Sequence, residues 1–335
     1  MPVLDAQLLI DNRVHAIRAM HDRIGNLRAQ LDVSGGIDSG VMLGLLARAV
    51  GPENVTAVYS SIHSGDEFRD RARLCAAAFD VALIELDLTQ IFESLTEMMQ
   101  ASLSASGVDL DPVRARIKND RSVLGSLRSC LRAPIGRGYN RLTGGGIRHG
   151  TGNECEDRFL RFYQKGGDGE VDTNPLAMLG KGEVFQLARA LGVPHDLIDA
   201  IPSPDLHGIG SDHNDEDELH ELTGVHWTYS RIDRSSGNYN RVGSIERMSR
   251  FLDDRGSTSL LDANTLNDHD FDQLAKAAAA YFPSYSHTQI DGLLRSCRQL
   301  EAASRHKANP NIPSFGDRAE LVDAGILTDS LPDLS

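Results

Sequence analysis

The chain begins with an amphipathic pattern that predicts a helix near its N-terminus. The apolar residues Leu8, Leu9, Val14, Ile17 and Ile24 fall on roughly one side of a helical wheel. We therefore expect that side of the helix to pack on the body of the protein. The stretch lacks the long apolar core and the small-residue cleavage site of a signal peptide.

Three short runs rich in apolar and β-branched residues follow, and helical runs separate them. The strand-like runs read LRAQLDVSG, NVTAVYSS and VALIELDL. The runs between them, SGVMLGLLARAVG and DEFRDRARLCAAAFD, have helical spacing, and Gly51 closes the first. Alternating strands and helices are typical of βαβ units, so we predict a doubly wound parallel α/β sheet with flanking helices. Ligands of such folds bind at the carboxyl ends of the strands.

The rest of the chain is predicted to be mainly helical. Helical spacing dominates residues 91–132, 182–200 and 284–305. The glycine-rich stretch over residues 138–154 is expected to contain one more short strand. Residues 203–221 are acidic and are predicted to form a loop.

Composition and charge exclude several classes of protein. The chain has 335 residues, of which 40% are hydrophobic, and a formal net charge of −14. This acidic balance argues against a nucleic-acid partner, which a basic face would bind. No run approaches the roughly 18 consecutive apolar residues of a membrane helix, so we expect no membrane partner. The four cysteines are scattered without a CxxC pair, which is typical of reduced thiols in a cytoplasmic protein.

A glycine-rich loop after the first predicted strand is the strongest candidate for a binding site. It contains Ser34, Gly35, Gly36, Asp38 and Ser39. Backbone N–H groups and the helix dipole favour an anion at such a turn, while glycines permit its close approach. The loop lacks the lysine of the Walker A pattern, and Asp38 would repel a bare phosphate unless it helps to hold Mg²⁺ or orients the loop. For these residues alone, an ordinary tight turn with a capping serine is the alternative.

The full SGGIDS motif resembles the pyrophosphate loop of the N-type ATP pyrophosphatases. Further along, GTGN, KGGDG, VDTNP, LGKGEV, IPSPDL, DEDEL and RHKANPNIP resemble, in order, the motifs of the ammonia-dependent NAD synthetase family. The resemblance covers residues 30–225 and about 300–315. It implies an adenine nucleotide alpha hydrolase-like fold, with one domain over residues 1–315, an inserted segment at about 228–283 and a tail over residues 316–335.

The resemblance also implies an activity. Members of this family use ATP and Mg²⁺ to adenylate the carboxylate of deamido-NAD, and ammonia then displaces AMP to give NAD, with pyrophosphate as the other product. The chain leaves no room for a glutaminase domain beside this core, so the expected nitrogen source is free ammonia or a separate donor. The family further implies a homodimer in which the two chains share the acid site.

Roles for individual residues follow from the same resemblance, as expectations. Asp38 and Lys181 are the expected catalytic residues. Mg²⁺ is expected on Asp38 with Glu156, or with Asp157, because this chain has one extra residue between GTGN and KGGDG. The residues expected to bind ATP or pyrophosphate are Ser34, Gly35, Gly36, Asp38, Ser39, Thr151, Lys165, Lys181 and Ser203. Those expected to bind the acid substrate are Arg128, Arg132, Asp172, His306 and Lys307.

One predicted helix departs from the family pattern. Family members carry an asparagine and two arginines in a motif close to NxxARxR, whereas this chain reads SLRSCLRAP. Ser126 and Cys130 replace the asparagine and the first arginine, Arg132 keeps the second, and Arg128 lies one helical turn away to compensate. Two alternatives stay open, a related amide-forming ligase that activates a different acid and a nucleotide-binding homologue without turnover. The inserted segment has three candidate roles, as a lid, an oligomer contact or a recognition element for another carboxylate.

Overall fold

The structure is a computed structural model, and its described parts include most of the chain. Within these parts, no helix is both long enough and apolar enough to cross a lipid bilayer. The described residues are 5–120, 122–161, 163–203, 214–255, 268–304, 307 and 318–328.

The centre of the fold is a parallel sheet of four strands in the order β3-β2-β1-β4. The chain builds β1, β2 and β3 outward in one direction and then crosses back to place β4 on the other side of β1. The predicted doubly wound α/β sheet with flanking helices is confirmed. The order reverses between β1 and β4, and in such sheets this switch point opens the crevice that binds ligands. The four strands are β1 (Ala29–Asp32), β2 (Val55–Ser61), β3 (Leu83–Asp87) and β4 (Ile147–His149).

Helices surround this sheet, and a small antiparallel pair of strands lies beyond it. A π-helical turn, Glu154–Leu160, follows β4, and the antiparallel pair is formed by β5 (Arg231–Ile232) and β6 (Tyr239–Arg241). The helices are α1 (Ala6–Ile24), α2 (Ile37–Val50), α3 (Asp66–Ala78), α4 (Thr89–Ala105), α5 (Leu110–Asn119), α6 (Ser122–Leu142), α7 (Lys181–Leu191), α8 (His195–Ile198), α9 (Asp215–Thr223), α10 (Ser244–Asp254), α11 (Asp268–Ala278), α12 (His287–Ser304) and α13 (Arg318–Asp323).

Two large clusters of buried side chains stabilise the fold. The first includes Leu9, Leu45 and Leu187, and it joins α1, α2 and α7 to the sheet. The second includes Trp227 and Phe251, and it brings together the helices α9, α10, α11 and α12 and the π-helical turn. Of the predicted inserted segment, helix α10 therefore packs on the π-helical turn that follows β4, and α11 packs on α12 within the same cluster.

The buried face of α1 differs from the predicted one. Leu8 and Ile24, which the pattern placed on the inner side, are 49% and 51% exposed. The buried side is rotated around the helix axis by about one residue relative to the predicted side. It includes two polar residues, Arg13 and His21, which contact the Pro175 carbonyl and His149 respectively. The buried residues of α1 are Leu9, Ile10, Arg13, Ile17 and His21.

Two weakly patterned stretches contain helices. Helix α9 lies within the acidic stretch predicted as a loop, so that prediction is wrong for its described second half. Asn214 caps this helix by accepting hydrogen bonds from the Glu216 and Asp217 N–H groups, and acidic residues in the first turn suit the helix dipole. Helix α13 lies in the expected tail, yet Leu321 packs in the first cluster. The domain boundary itself stays a prediction.

Candidate functional site

The glycine loop connects β1 to α2 at the carboxyl edge of the sheet. Gly35 has a φ of +80°, and a Cβ atom there would lie 2.3 Å from the Phe68 carbonyl oxygen, so this turn requires glycine. The Ser34 hydroxyl accepts a hydrogen bond from the Gly36 N–H at 3.2 Å and donates to the Ser39 hydroxyl at 3.2 Å. Both hydroxyls thus lie at the N-terminus of α2, where the helix dipole favours an anion.

Lys181, the first residue of α7, carries the central positive charge of the site. Its side chain is buried, and Nζ donates to Asp38 Oδ2 and to Glu156 Oε1, each at 2.7 Å. Asn153 links the same two residues, since its Nδ2 donates to Asp38 Oδ1 at 3.0 Å and its Oδ1 accepts from the Glu156 N–H at 3.1 Å. Three sequence motifs therefore converge in one hydrogen-bonded group.

The electrostatics of this group keep Lys181 charged. Burial lowers the pKa of the Lys181 ammonium, but the carboxylates of Asp38 and Glu156 outweigh burial and hold this pKa above its ordinary value. Burial raises the pKa of Glu156 against the opposing effect of Lys181. Burial and the charge of Glu156 also raise the pKa of Asp215 to about 8. The Lys181 ammonium thus contacts two carboxylates, and a pair of carboxylates that shares one cation suits a further cation, whereas Asp215 is mostly protonated near pH 7.

Glu156 fits a role in metal binding better than Asp157 does. The Asp157 carboxylate accepts a hydrogen bond from Asn174 Nδ2, and burial raises its pKa well above the ordinary range. Among the described residues, no three His, Cys, Asp or Glu side chains are grouped to hold a metal ion. The pair Asp38 and Glu156 is nevertheless a suitable donor set for Mg²⁺, which commonly takes one or two carboxylates and completes its shell with water and substrate phosphates.

A cavity of about 440 Å³ opens beside this group. Its wall runs from the carboxyl ends of β1 and β2 to α6, and it also includes Tyr163, Asp168 and Lys307. As far as the described residues define this wall, Gly35, Ser39, Asp157, Lys165, Arg128 and Asp172 are not part of it. The expected site residues that line the cavity are Ser34, Gly36, Asp38, Thr151, Glu156, Lys181, Ser203, Arg132 and Lys307.

The two arginines expected to bind the acid substrate lie in different places. Arg132 lines the cavity, and its Nε donates to the Ser60 carbonyl at 3.0 Å. Arg128 is buried, and its guanidinium donates to the carbonyl of Ile62, just past the end of β2. This geometry does not support the expected compensation by Arg128. Ser126, at the position of the family's asparagine, lines the cavity.

Asp172 and Lys165 lie away from the cavity wall. Both carboxylate oxygens of Asp172 accept from Arg137 Nη1 at 2.8 Å, and Oδ2 also accepts from the Arg148 N–H at 2.8 Å. Asp172 thus ties α6 to the end of β4. Lys165 is exposed in a turn, and its carbonyl accepts a hydrogen bond from Cys130 Sγ at 3.9 Å.

The expected C-terminal lysine does reach the cavity. Lys307 Nζ donates to the Arg161 carbonyl at 3.3 Å and lies 5.8 Å from the centre of the Tyr163 ring. Burial lowers the pKa of this ammonium group. The Tyr163 hydroxyl in turn donates to the Lys307 carbonyl. His306, which the resemblance also assigned to the acid site, lies outside the described residues.

Several residues of the site were missed by the sequence analysis. Asn153 belongs to the GTGN motif, so its place in that motif was an available signal. Tyr163 lies two residues before KGGDG and lines the cavity. Arg71 also lines the cavity and donates from Nε to the Gly35 carbonyl at 3.0 Å. No feature of the sequence distinguishes Arg71 from the other arginines of α3.

The fold and the site together define a class of protein. A doubly wound parallel sheet with flanking helices, and with a glycine-rich turn between β1 and α2, is an adenine nucleotide alpha hydrolase-like fold. The sequence profile of the family described as NAD synthase matches residues 9–241. The chain therefore belongs to the NAD synthase family, and it is an enzyme of the carbon–nitrogen ligase class.

Individual relatives agree with this assignment. The chain is 27% identical over 247 residues to the NH(3)-dependent NAD(+) synthetase of Thermoplasma volcanium, a match that covers 73% of this chain and 88% of that protein. It is 30% identical over 241 residues to the enzyme of the same name from Trichlorobacter lovleyi, a match that covers 71% of this chain and 73% of that protein.

Solved structures share the fold. The NMN synthetase from Francisella tularensis superimposes with a TM-score of 0.58 at 19% identity, over 85% of this chain and 96% of that one. The NH3-dependent NAD synthetase from Campylobacter jejuni gives a TM-score of 0.56 at 16% identity, over 92% of this chain and 100% of that one. At these identities the comparison concerns the fold alone.

Proposed function

We propose that the protein uses ATP to adenylate the carboxylate of deamido-NAD, and that ammonia then displaces AMP to give NAD. The observation that carries the proposal is the contact of Lys181 Nζ with both Asp38 and Glu156, at 2.7 Å each, in the wall of the cavity. A buried cation beside an anion-binding loop is suited to neutralise charge that develops as pyrophosphate leaves. The names of the curated relatives support ammonia as the nitrogen source.

Different residues of the site would bind different parts of ATP. The N-terminal N–H groups of α2 and the hydroxyl of Ser34 would receive the pyrophosphate, while the buried Ser39 hydroxyl, which donates to the Gly36 carbonyl at 2.9 Å, would support the loop. Lys181 would stabilise the phosphate oxygens at the reacting phosphorus, while Asn153 keeps the Asp38 carboxylate in place. Thr151 and Ser203, both in the cavity wall, would contact the nucleotide.

Magnesium belongs to this proposal. Asp38 and Glu156 would hold Mg²⁺, which when bound neutralises phosphate charge and orients the leaving pyrophosphate. Because both carboxylates already contact the Lys181 ammonium, the metal and the lysine would share them. Asp157 remains a weaker candidate, since Glu156 lines the cavity and Asp157 does not.

The acid end of the cavity leaves room for a second candidate function. Arg132 and Lys307 are suited to bind an anionic acid substrate, with His306 as a further expected contact. However, α6 contributes Ser126 and Ser129 to the cavity wall at this end. The buried Arg128 guanidinium binds the Ile62 carbonyl rather than facing the cavity. This observation favours the alternative that the protein is a related amide-forming ligase that adenylates a different carboxylic acid.

Pyrophosphate exchange separates these candidates. Radioactive pyrophosphate is incubated with the protein, ATP, Mg²⁺ and one acid at a time, and its incorporation into ATP is measured. Exchange with deamido-NAD, followed by NAD formation on adding ammonium, supports the first function. Exchange with a different acid, but not with deamido-NAD, supports the second function. No exchange with any acid would indicate a nucleotide-binding homologue without turnover.

Two substitutions test the site itself. Asp38→Ala and Lys181→Ala should each lower the exchange rate by roughly 100- to 1,000-fold, since each removes a fixed charge that faces the reacting phosphates. Circular dichroism serves as the control for folding. Wild-type exchange in either folded variant would contradict the assigned roles.

The quaternary structure and the nitrogen donor are part of the same proposal. The family resemblance favours a homodimer that uses free ammonia or a separate ammonia donor. Light scattering at micromolar concentration tests the first point, and a monomer would contradict it. Comparing ammonium with glutamine as the nitrogen source, in the purified protein, tests the second.

A further inference from the structure

The N-terminal end of α7 determines where Lys181 lies, and Glu183 stabilises that end. Glu183 is in the first turn of the helix, and its Oε2 accepts a hydrogen bond from the Gly180 N–H at 2.8 Å. This bond satisfies one of the free N–H groups of the helix terminus. Since Lys181 lies between these two residues in the sequence, the bond fixes the backbone that carries the ammonium group.

Glu183 is buried, and Arg318 of α13 binds it. The two terminal nitrogens of Arg318 donate to the two carboxylate oxygens of Glu183, each at 3.1 Å. The same guanidinium donates to the carbonyls of Met178 at 3.3 Å and Thr328 at 3.0 Å. Such a fork of donors holds a carboxylate in one orientation, which a lysine at this position would not do.

Arg318 also contacts the element that carries Glu156. Its Nη1 lies 3.5 Å from the Glu154 Oε2, and Glu154 is the first residue of the π-helical turn. Glu154 is two residues before Glu156, and Glu183 is two residues after Lys181. One guanidinium therefore binds both chain segments whose side chains meet at the Lys181–Glu156 contact, although Arg318 is not among the residues that line the cavity.

We propose that Arg318 is a positioning residue that holds Lys181 against Glu156 by binding Glu183 and Glu154 together. The inference rests on the role proposed above for Lys181. With this role, helix α13 supports the candidate active site, although the family resemblance assigns the residues of α13 to a tail outside the domain. The expected consequence is a loss of rate without a loss of nucleotide affinity, because Arg318 acts through Lys181.

Kinetics of three variants test this inference. Arg318→Met should lower kcat for pyrophosphate exchange by roughly 100-fold, the effect of misplacing a catalytic group by about 1 Å. The KM for ATP should change by less than about threefold, since no contact with ATP is removed. Arg318→Lys keeps the charge but not the fork, and we expect roughly a tenfold loss. Arg318→Met with Glu183→Gln also removes the buried charge of Glu183, whose Oε1 lies 3.9 Å from Arg250 Nη2 as well, and it serves as the second variant if the single variant unfolds.

A matched control separates positioning from general stability. Arg13 of α1 is also a buried arginine, and its Nη1 lies 3.5 Å from the Pro175 carbonyl. Arg13→Met should lower the free energy of unfolding but leave kcat unchanged at a temperature where both variants are folded. Equal losses of kcat in Arg13→Met and Arg318→Met would overturn the inference, because both would then reflect stability.

A double-substitution cycle tests the route of the effect. In a Lys181→Ala background, Arg318→Met should cause no further loss of the residual rate, because the group that it positions is absent. Losses that multiply in the double variant would mean that Arg318 acts independently of Lys181, and would overturn the inference.

Hydrogen exchange provides a readout that does not depend on activity. Arg318→Met should speed exchange of the Gly180 amide by at least about tenfold, since its acceptor Glu183 loses the two hydrogen bonds from Arg318 that orient it, whereas Arg13→Met should not. If the wild type shows no pyrophosphate exchange with any acid, the proposed function fails, and hydrogen exchange still decides whether Arg318 orders this turn. Unchanged protection of Gly180 in Arg318→Met would refute the positioning role.

Discussion

A buried histidine pair beside the site makes the stability of the protein depend on pH. His21 Nε2 and His149 Nε2 lie 3.0 Å apart. His21 Nδ1 must donate to the Asn26 carbonyl, at 2.8 Å, because a carbonyl only accepts. His21 Nε2 is then the acceptor from His149 Nε2–H, and His149 Nδ1 accepts from the Thr173 hydroxyl at 2.8 Å. In this assignment both rings are neutral. One added proton leaves the hydrogen bonds intact, because the Thr173 hydroxyl can also accept from His149 Nδ1, so it is burial that opposes the charged form.

The size of the effect follows from the pKa of His149. Burial and the neighbouring His21 lower this pKa from 6.5 to about 3. As the pH falls below about 6.5, His149 therefore becomes protonated in the unfolded chain but not in the folded chain. The contribution of neutral His149 to the unfolding free energy is fully present above pH 6.5 and decreases as the pH falls towards 3. At pH 5 this difference in proton binding amounts to about 2 kcal/mol of lost unfolding free energy.

Urea denaturation of the wild type and of His149→Gln checks this reasoning. Unfolding free energies are measured at pH 7.5 and pH 5, and the change between the two pH values is compared rather than the absolute stability, because glutamine also alters packing. Titrating groups that do not contact this pair contribute equally to both proteins and cancel, whereas His21, whose pKa burial also lowers, belongs to the pair that is being compared. We expect the wild type to lose about 2 kcal/mol more than the variant. Equal losses would mean that His149 is protonated in the folded state.

Three further predictions concern the loop, the metal and the acid site. Gly35→Ala should lower the unfolding free energy by about 1–3 kcal/mol in urea titrations, because of its positive φ. Glu156→Gln should raise the Mg²⁺ concentration for half-maximal pyrophosphate exchange by roughly tenfold or more, whereas an unchanged requirement is expected for Asp157→Asn. Arg132→Ala should raise the KM for the acid by roughly tenfold or more, while Arg128→Met should mainly lower the melting temperature; the opposite pattern would restore Arg128 to the acid site.

Local sequence signals were sufficient for the sheet and the glycine loop. Strand and helix periods are read over a few residues, and the SGGIDS motif lies at the carboxyl end of β1, where a parallel sheet places ligands. Lys181, Asp38 and Glu156 meet as the order of the motifs implied. These features depend on short segments and on one topological rule, so they are visible without a structure.

Long-range polar contacts could not be predicted in the same way. Arg128 has the right helical spacing to replace a lost arginine, but burial directs its guanidinium to the Ile62 carbonyl. Asp172 is likewise held by Arg137, on α6. The choice between substrate and main chain depends on which side of α6 faces the sheet. A single sequence does not settle that choice for a helix with polar residues on every side.

The contact between Arg318 and Glu183 spans 135 residues, and this distance has a consequence for synthesis of the protein. At about 5–20 residues per second, a ribosome makes Arg318 roughly 7–27 s after Glu183. During that interval the Glu183 carboxylate of the nascent α7 lacks Arg318, the nearer of two arginines that contact it, although Arg250, whose Nη2 lies 3.9 Å from Glu183 Oε1 in the folded protein, is made earlier. We therefore expect α7 to remain loosely docked and accessible to chaperones until α13 leaves the ribosome, although all four strands of the parallel sheet precede α7 in the chain.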